Sequence, residues 1–367
     1  MNKLIAQFLK FLLFLGVGLG ILFLLYKNQN AAYQAQCIVD GIPKEDCNFL
    51  QKLIDDFKGA NYFWIALVLL VFAISNISRA IRWNMLLKPM GYRPRLINSF
   101  LVIIVAYFAN LGLPRIGEVV RGAMISRYEN IPLEKAMGTI VTDRIVDVLS
   151  LLFVVALAFV LEFDVLWGYL SSHMGGSEEG SSLWENRWLQ GILGIGILGA
   201  AVLWFFRQTL MNSSLALKIK GVLSGFGEGL RTISKLENPG WFIFHSLNIW
   251  AMYFLMTYFC FFAYEPTTHL GLLAALMVFV FGAFGIVIPS PGGMGSYHFL
   301  VMAALSLYGI GQIEAFSFAN ILFFSVQIGS NVLLGGIALL LLPLINRHYS
   351  PRHISNKKNS SEKVLSS

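Results

Sequence analysis

Arginine and carboxylate side chains with the spacing of one helical face follow a proline break in this chain. Arg115, Glu118 and Arg121 lie three residues apart directly after Pro114, so a helix that starts there presents all three together. Two guanidinium groups on one face can hold a lipid phosphate through paired hydrogen bonds. Glu118 can orient one arginine or meet a cationic headgroup. The spacing therefore indicates a polar site and favours binding of a lipid phosphate, although it does not by itself identify a substrate.

A second charged group, Asp143, Arg144 and Asp147, lies farther along the chain inside an apolar run. Charges inside a bilayer cost roughly 2.5–3.5 kcal/mol each, so they mark functional residues by default. A structural alternative stays open, because the three arginines and three carboxylates of the two groups sum to zero charge and can satisfy one another. Arg144 can pair with Asp147, and for this second group a structural role is as well founded as ligand binding.

The elements that must position these residues are membrane helices. Hydrophobic residues make up 56% of the 367-residue chain and charged residues 13%, and the mean hydropathy is +0.67. A soluble domain carries about 25% charged residues. The composition therefore indicates an all-α, polytopic membrane helical bundle without a soluble catalytic domain. The net charge of +7 sits in short loops and the tail, where it sets orientation, so membrane lipids and not nucleic acids are the expected partners.

Hydropathy predicts about seven full spans and two shorter, interrupted segments. The predicted spans include residues 5–26, 62–87, 133–161, 188–206, 241–263 and 315–342, with a mixed polar loop at 27–60 and an amphipathic surface helix at 213–236. The interrupted segments, 97–128 and 268–310, break at the Pro- and Gly-rich stretches NLGLPRIG and PSPGGMG. Because each arm is short, we expect re-entrant hairpins, although two full crossings per segment fit the charge pattern equally well.

The interrupted segments belong to a repeated pattern. Residues 61–161 and 241–343 each comprise a span, a hairpin and a span, and the lysine and arginine density gives the two units opposite orientations, with both termini in the cytoplasm. Such an inverted repeat brings the hairpin tips together near the midplane, where transporters build substrate sites. We predict one membrane domain over residues 1–345 and a basic, disordered cytoplasmic tail over 346–367.

Several polar residues outside the charged groups are further candidates. Asn110 opens the first tip and is a candidate ligand. Arg79 and Arg82 lie in the last turns of the span 62–87. Snorkelling to the interface is the favoured interpretation, and headgroup capture from the inner leaflet stays open for both. Cys37 and Cys47 share one polar loop and either form a disulfide or remain two free thiols.

The second interrupted segment offers weaker signals. Gly292 and Gly293 form a tight turn, and their amides are also candidates for an anion-binding nest. His298 can titrate in a proton-coupled switch, but a hydrogen-bonded structural histidine is the favoured interpretation. Gln327 and Asn331 lie one turn apart on the last span and are predicted to bond across helices.

Motifs for enzyme chemistry are missing from the sequence. It contains no His/Cys cluster at metal-ligand spacing, no nucleophile elbow and no phosphate-cradling G-x-x-x-x-G-K-[ST] loop. We therefore expect no cofactor, no metal site and no ATP hydrolysis, and a non-enzymatic role is favoured.

The stretches LPRIGEVVR, TDRIVDVL and PSPGGMGSY resemble the membrane region of bacterial lysylphosphatidylglycerol synthases, a flippase-like family, over residues 5–345. The resemblance implies an integral protein of the bacterial inner (cytoplasmic) membrane that moves an aminoacylated phospholipid between leaflets. The soluble synthase domain of the bifunctional members has no counterpart here, so aminoacyl transfer is not expected. Tyr297 and His298 stand where related sequences often place a Glu. The matching positions are Pro114, Arg115, Gly117, Glu118, Arg121, Arg144, Asp147, Pro291, Gly292, Gly293 and Gly295.

Three hypotheses of function follow. The leading one is a translocator of an anionic or aminoacylated phospholipid, or of a polyprenyl-phosphate-linked lipid, through a charged midplane site. The second is a membrane-embedded transferase acting on such lipids, in which Asp143 and Asp147 would hold a divalent metal. The third is a non-catalytic subunit that docks through residues 213–236 and the tail, with another copy of the chain or a lipid-modifying enzyme as its partner.

Overall fold

The computed structural model describes residues 2–43, 47–112, 116–165, 167–168, 236–287 and 293–351. The secondary structure of these residues is helical, without strands, as the hydropathy pattern predicts. The chain divides into two compact units, Met1–Ala158 with Asn238–Ser367, and Phe159–Glu237. The helices that carry the predicted site belong to the first unit.

The helices are numbered here in chain order along the described residues. They are α1 Asn2–Val39, α2 Phe49–Gly59, α3 Tyr62–Leu87, α4 Leu96–Gly112, α5 Ile116–Glu129, α6 Leu133–Leu161, α7 Pro239–Phe261, α8 Leu272–Val287, α9 Ser296–Ser306, α10 Gln312–Phe323 and α11 Asn331–Ile345. A π-helix, Phe324–Ser330, joins α10 to α11.

Four helices in the described ranges are long and apolar enough to cross a membrane: Tyr62–Met90, Leu133–Leu161, Pro239–Phe261 and Gln312–Ile345. They coincide with predicted spans 62–87, 133–161, 241–263 and 315–342, and they confirm the all-α membrane bundle. The predicted span 188–206 and nearly all of the surface helix 213–236 lie outside the described residues.

The N-terminal region is more helical than its polarity suggests. The predicted loop 27–60 is wrong, because α1 continues to Val39 and α2 occupies Phe49–Gly59. The side chain of Asn48 caps α2 by accepting the N–H groups of Leu50 and Gln51 at 3.0 and 3.2 Å. A disulfide between Cys37 and Cys47 closes the turn between the two helices.

The first hairpin consists of α4 and α5, which pack against each other on either side of residues 113–115. At 1.5 Å per residue, 17 and 14 residues give about 25 and 21 Å, less than the roughly 30 Å hydrocarbon core. The side chain of Asn110 accepts the Gly117 N–H at 2.7 Å. A Cβ at residue 117 would collide with the Ala106 carbonyl oxygen, so the close approach of the arms requires glycine there.

The second hairpin, α8 and α9, is closed by a similar device. A Cβ at Gly285 would lie 2.6 Å from Tyr297 Cα and 2.9 Å from Tyr297 N, so backbone meets backbone at this crossing. The Ser296 hydroxyl donates to the carbonyl oxygens of Gly285 at 2.8 Å and Gly293 at 3.1 Å. Gly293 itself has φ +79°, a left-handed conformation that glycine adopts without strain.

The last predicted span contains the π-helix in its middle. The Ser330 hydroxyl donates to the Ser325 carbonyl five residues earlier at 3.0 Å, the spacing of a π-turn. Asn331 donates through Nδ2 to the Gln327 carbonyl of its own helix at 2.8 Å. The predicted bond across helices is therefore wrong for the Asn331 amide N–H, because the carbonyl four residues earlier on its own helix is within reach.

The beginning of the predicted tail packs on the first turn of α4 and the last turn of α5. These are the ends that we expect to lie on the cytoplasmic side. Glu129, which is 4% exposed, accepts hydrogen bonds from Asn98 Nδ2 at 2.5 Å and from the Tyr349 hydroxyl at 3.0 Å. Asn98 and Asn346 exchange side-chain amide hydrogen bonds at 2.9 and 2.8 Å. Residues up to Tyr349 therefore fasten the last span to the first hairpin, while 352–367 lie outside the described residues.

The glycine at the crossing of the second hairpin generates a stability prediction. We expect Gly285→Ala to lower the free energy of unfolding by about 1–3 kcal/mol, because the added methyl group forces the backbones of α8 and α9 apart. Thermal unfolding in detergent, followed by intrinsic tryptophan fluorescence, measures the change. The matched control is Gly336→Ala, where a Cβ has nothing within 4 Å and the better helix propensity of alanine should leave Tm equal or higher. Equal Tm values for the two variants would contradict the close approach.

Candidate functional site

Three helices bring buried arginines and aspartates together. Helix α6 supplies Asp143 and Asp147 one turn apart, and α3 supplies Arg79 and Arg82 on the facing side. Helix α5 adds Arg121 from the first hairpin. All five residues are at most 8% exposed. These five residues are called the inner cluster below.

Arg82 joins the two carboxylates. Its Nη2 lies 2.5 Å from Asp143 Oδ1 and 2.6 Å from Asp147 Oδ1, and its side chain is fully buried. Arg79 places Nη1 2.6 Å from Asp147 Oδ2 and 3.7 Å from Asp143 Oδ2. Snorkelling of Arg79 and Arg82 to the interface is therefore wrong. The packing of α3 against α7 covers both side chains, and the carboxylates of α6 compensate their charge.

Two tyrosines extend the inner cluster and were not among the sequence candidates. Arg79 donates through Nη2 to the Tyr253 hydroxyl at 3.2 Å, and this hydroxyl lies 3.3 Å from that of Tyr107. Tyrosines on apolar helices look like ordinary core residues, so sequence gives no signal for them. Arg79 and Arg82 did carry a signal, because their spacing of three on one helix complements the spacing of four between Asp143 and Asp147 on another.

Arg121 occupies a special position in the inner cluster. Its Nη1 donates to Asp143 Oδ2 at 2.9 Å, and its guanidinium carbon lies 3.9 Å from the centroid of the Trp83 ring. The indole N–H of Trp83 donates to Thr139 Oγ1 at 2.9 Å, which fixes the ring beneath the guanidinium. The remaining nitrogens of Arg121, Nε and Nη2, are buried and have no hydrogen-bond partner among the described residues. They form one edge of the guanidinium, the edge that can hold two oxygens of one anion.

Arg144 and Glu118 form an outer pair at the margin of the inner cluster. Arg144 Nε lies 3.1 Å from Glu118 Oε1, and the two side chains are 39% and 30% exposed. Arg144 also reaches Asp147 Oδ2 with Nη1 at 3.5 Å, the pairing expected from their spacing. Glu118 therefore orients an arginine, one of the two roles predicted for it.

The charges in the described part of the site do not cancel. The inner cluster contains Arg79, Arg82 and Arg121 against Asp143 and Asp147, which leaves one positive charge in excess, while the outer pair is neutral. The zero sum expected from sequence omitted Arg79 and Arg82 and included Arg115, which lies outside the described residues. A buried charge without a partner costs several kcal/mol, so the inner cluster favours an added anion.

A small pocket of about 10 Å³, with room for roughly one water molecule, adjoins Arg121. Its polar lining is Arg121, Arg144, Glu118 and Asn110, and its remaining lining is Ile103, Ala106, Tyr107 and Gly117. All of these residues belong to α4, α5 and α6. The structure thus brings four predicted site residues to one pocket and places Asp143, Asp147 and Arg82 directly behind it.

The predicted residues of the second hairpin that the structure describes do not line this pocket. Neither Gly293 nor His298 is among the described residues that line it, and Gly292 lies outside the described ranges. His298 is 1% exposed, and its ring centroid lies 4.7 Å from that of Phe323. Among the residues with described side chains, neither of its ring nitrogens meets strict hydrogen-bond geometry, but the side chain of Asn320 lies close enough to interact with the ring, so the hydrogen-bonded structural histidine stays a prediction.

The comparisons with known proteins agree with the motifs. The family described as "Lysylphosphatidylglycerol synthase TM region" matches residues 49–346. The UPF0104 membrane protein MJ1595 of Methanocaldococcus jannaschii is 28% identical over 123 residues, which are 33% of this chain and 36% of that protein. The chain thus spans about a third of that relative. The UPF0104 membrane protein MJ1078 of the same organism is 26% identical over 243 residues, 64% of this chain and 94% of the relative. No solved structure matches.

The inner cluster predicts that its carboxylates are needed for folding. We expect Asp143→Asn to lower the free energy of unfolding by about 3–5 kcal/mol, because Arg82 and Arg121 would lose a buried countercharge. Chemical or thermal unfolding in detergent measures the loss. Glu134→Gln removes a carboxylate from the exposed first turn of the same helix and should leave Tm within a degree or two, roughly ±0.5 kcal/mol. Similar Tm values for both variants would show that the inner cluster does not stabilise the fold.

Proposed function

The chain belongs to the family of the lysylphosphatidylglycerol synthase transmembrane region, and we propose that it is a flippase-like translocator of a phospholipid or lipid-linked headgroup. The family and the long apolar helices make it a multi-pass membrane protein. In the proposal, the small pocket beside Arg121 widens to admit the phosphate of the headgroup. The acyl chains remain in the bilayer while the headgroup passes the charged site.

The observation that carries the proposal is the free edge of Arg121. Asp143 and Trp83 hold the guanidinium in place, and its Nε and Nη2 have no partner among the described residues although they are buried. A buried donor without an acceptor costs about 1–3 kcal/mol, so a ligand with two acceptor oxygens relieves two such costs together. A lipid phosphate has this shape and charge.

The outer pair gives a route by which a headgroup could reach that edge. Arg144 and Glu118 are partly exposed and line the same pocket, so an entering phosphate meets a charged, hydrated margin before the buried guanidinium. Asn110 does not bind the ligand in this arrangement. Its side chain is engaged with the Gly117 N–H and keeps the tip of the first hairpin closed against α4.

A transferase that binds a metal through Asp143 and Asp147 is less well supported. Both oxygens of each carboxylate lie within salt-bridge distance of arginine nitrogens, so a divalent cation would have to displace those guanidinium groups. Displacing them would leave buried arginines without countercharges. The geometry favours carboxylates that position arginines over carboxylates that coordinate metal.

The proposal includes the orientation expected from the lysine and arginine distribution. Both termini lie in the cytoplasm, the protein resides in the bacterial cytoplasmic membrane, and the turn closed by Cys37 and Cys47 faces the oxidising side. The two units 61–161 and 241–343 form the inverted repeat, with re-entrant hairpins. Selective labelling of single introduced cysteines in α4 and α8 would test these expectations.

Lipid movement in proteoliposomes tests the proposed function. We expect purified full-length protein to speed the movement of acyl-labelled phosphatidylglycerol between leaflets, measured by dithionite quenching of the fluorophore. Arg121→Lys keeps the charge but loses the two-donor edge, and it should slow this movement roughly tenfold or more, since hydrogen bonds to charged groups contribute about 1.5–3 kcal/mol each.

The matched control is Arg127→Lys, an exposed arginine on the same helix that does not line the pocket. This variant should keep the rate of the unaltered protein. Movement no faster than in protein-free vesicles, or equal slowing in both variants, would contradict the proposal.

A further inference from the structure

We propose that the pocket selects a headgroup with a net charge of −1, a phosphodiester without an added ammonium group. This inference rests on the proposed function and names the substrate class of the same site. It follows from where the charges of the site lie, and not from its overall content of arginine.

The uncompensated charge lies in the buried part of the site. Among the described residues, the carboxylates within salt-bridge distance of Arg79, Arg82 and Arg121 are those of Asp143 and Asp147, and the side chains of these five residues are between 0% and 11% exposed. Water screens such charges poorly, so the excess positive charge attracts a nearby anionic ligand more strongly than an exposed charge would. Among these arginines, Arg121 lines the pocket and offers two adjacent nitrogens without hydrogen-bond partners.

A phosphodiester matches both the excess charge of the inner cluster and the geometry of the two unpartnered nitrogens of Arg121. It carries one negative charge, which brings the inner cluster plus ligand to zero, and its two non-bridging oxygens can each accept one N–H from the free edge of Arg121. A neutral ensemble is the one with the lowest cost inside a bilayer. A phosphomonoester carries about −1.5 to −2 charges near pH 7 and would leave the site negative.

Cationic and zwitterionic headgroups lack a suitable partner among the residues that the structure describes. Of these residues, Glu118 is the carboxylate that lines the pocket, and it is already paired with Arg144 at 3.1 Å. The two carboxylates behind Arg121 are held by arginines as well. An ammonium group on the lipid would therefore have to break an existing ion pair to find a countercharge. Because Glu118 neutralises Arg144, the pocket has one excess positive charge and not two, and this limits the negative charge of the ligand to one.

A headgroup series in proteoliposomes tests the inference. Full-length protein in phosphatidylcholine vesicles would receive a trace of one acyl-labelled lipid at a time: phosphatidylglycerol, phosphatidylcholine, phosphatidic acid or lysylphosphatidylglycerol. We expect phosphatidylglycerol to move about tenfold faster than each of the others. The soluble phosphodiester glycerophosphoglycerol, added outside, distinguishes a lipid from a free ligand. Weak competition supports the lipid, whereas tight binding of this compound without lipid movement would overturn the lipid assignment.

A charge variant makes the test independent of absolute rates. Glu118→Gln frees the charge of Arg144, so the pocket gains one positive charge and the preference for phosphatidylglycerol over phosphatidic acid should fall or reverse. Glu134→Gln, on the exposed first turn of α6, should leave that ratio unchanged. Comparing ratios within one preparation removes differences in expression and folding between the variants.

The outcomes separate the inference from the proposed function. Equal rates for all four lipids, or fastest movement of lysylphosphatidylglycerol, would overturn the charge selection while translocation itself stands. An unchanged ratio in Glu118→Gln would also overturn it. If no lipid moves faster than in protein-free vesicles, translocation fails and the inference fails with it.

Discussion

The pairing of two aspartates on α6 with arginines from α3 and α5 is the interaction on which the described arrangement depends. Asp143 and Asp147 lie behind the pocket and are each within salt-bridge distance of more than one guanidinium group. In a low-dielectric interior, none of these charges is tolerable alone. Helices far apart in the sequence are therefore held in one register, because any shift would separate buried charges.

The same pairing orients the edge of Arg121 that is proposed to bind the ligand. Asp143 accepts a hydrogen bond from one nitrogen of Arg121. The ring of Trp83, which is hydrogen-bonded to Thr139, covers one face of the Arg121 guanidinium. Two contacts thus define the guanidinium plane, and the opposite edge is buried without a hydrogen-bond partner among the described residues. The first hairpin can place Arg121 inside the inner cluster because Gly117 lets the two arms of the hairpin approach closely. At the other end of α5, the contact of Glu129 with Tyr349 fixes the hairpin to the chain after α11.

Stability and binding place opposite demands on this site. A set of charges that cancelled completely would stabilise the helices and attract no ligand. The inner cluster leaves one positive charge over, a local cost that an anion can remove. The partly exposed pair of Arg144 and Glu118 keeps the margin neutral, so the excess remains within the inner cluster.

The sequence by itself determined what depends on neighbours along the chain. The apolar lengths predicted α3, α6, α7 and the last span, the Pro- and Gly-rich breaks predicted both hairpins, and the spacing of Glu118 and Arg121 placed them on one face. Only the tertiary structure decided which faces meet. Arg82 contacts Asp143, which is 61 positions away in the sequence. Arg82, which the sequence predicts at the membrane interface, therefore lies at the centre of the inner cluster. Helical periodicity is local, whereas the partner of a buried charge is chosen by packing between distant helices.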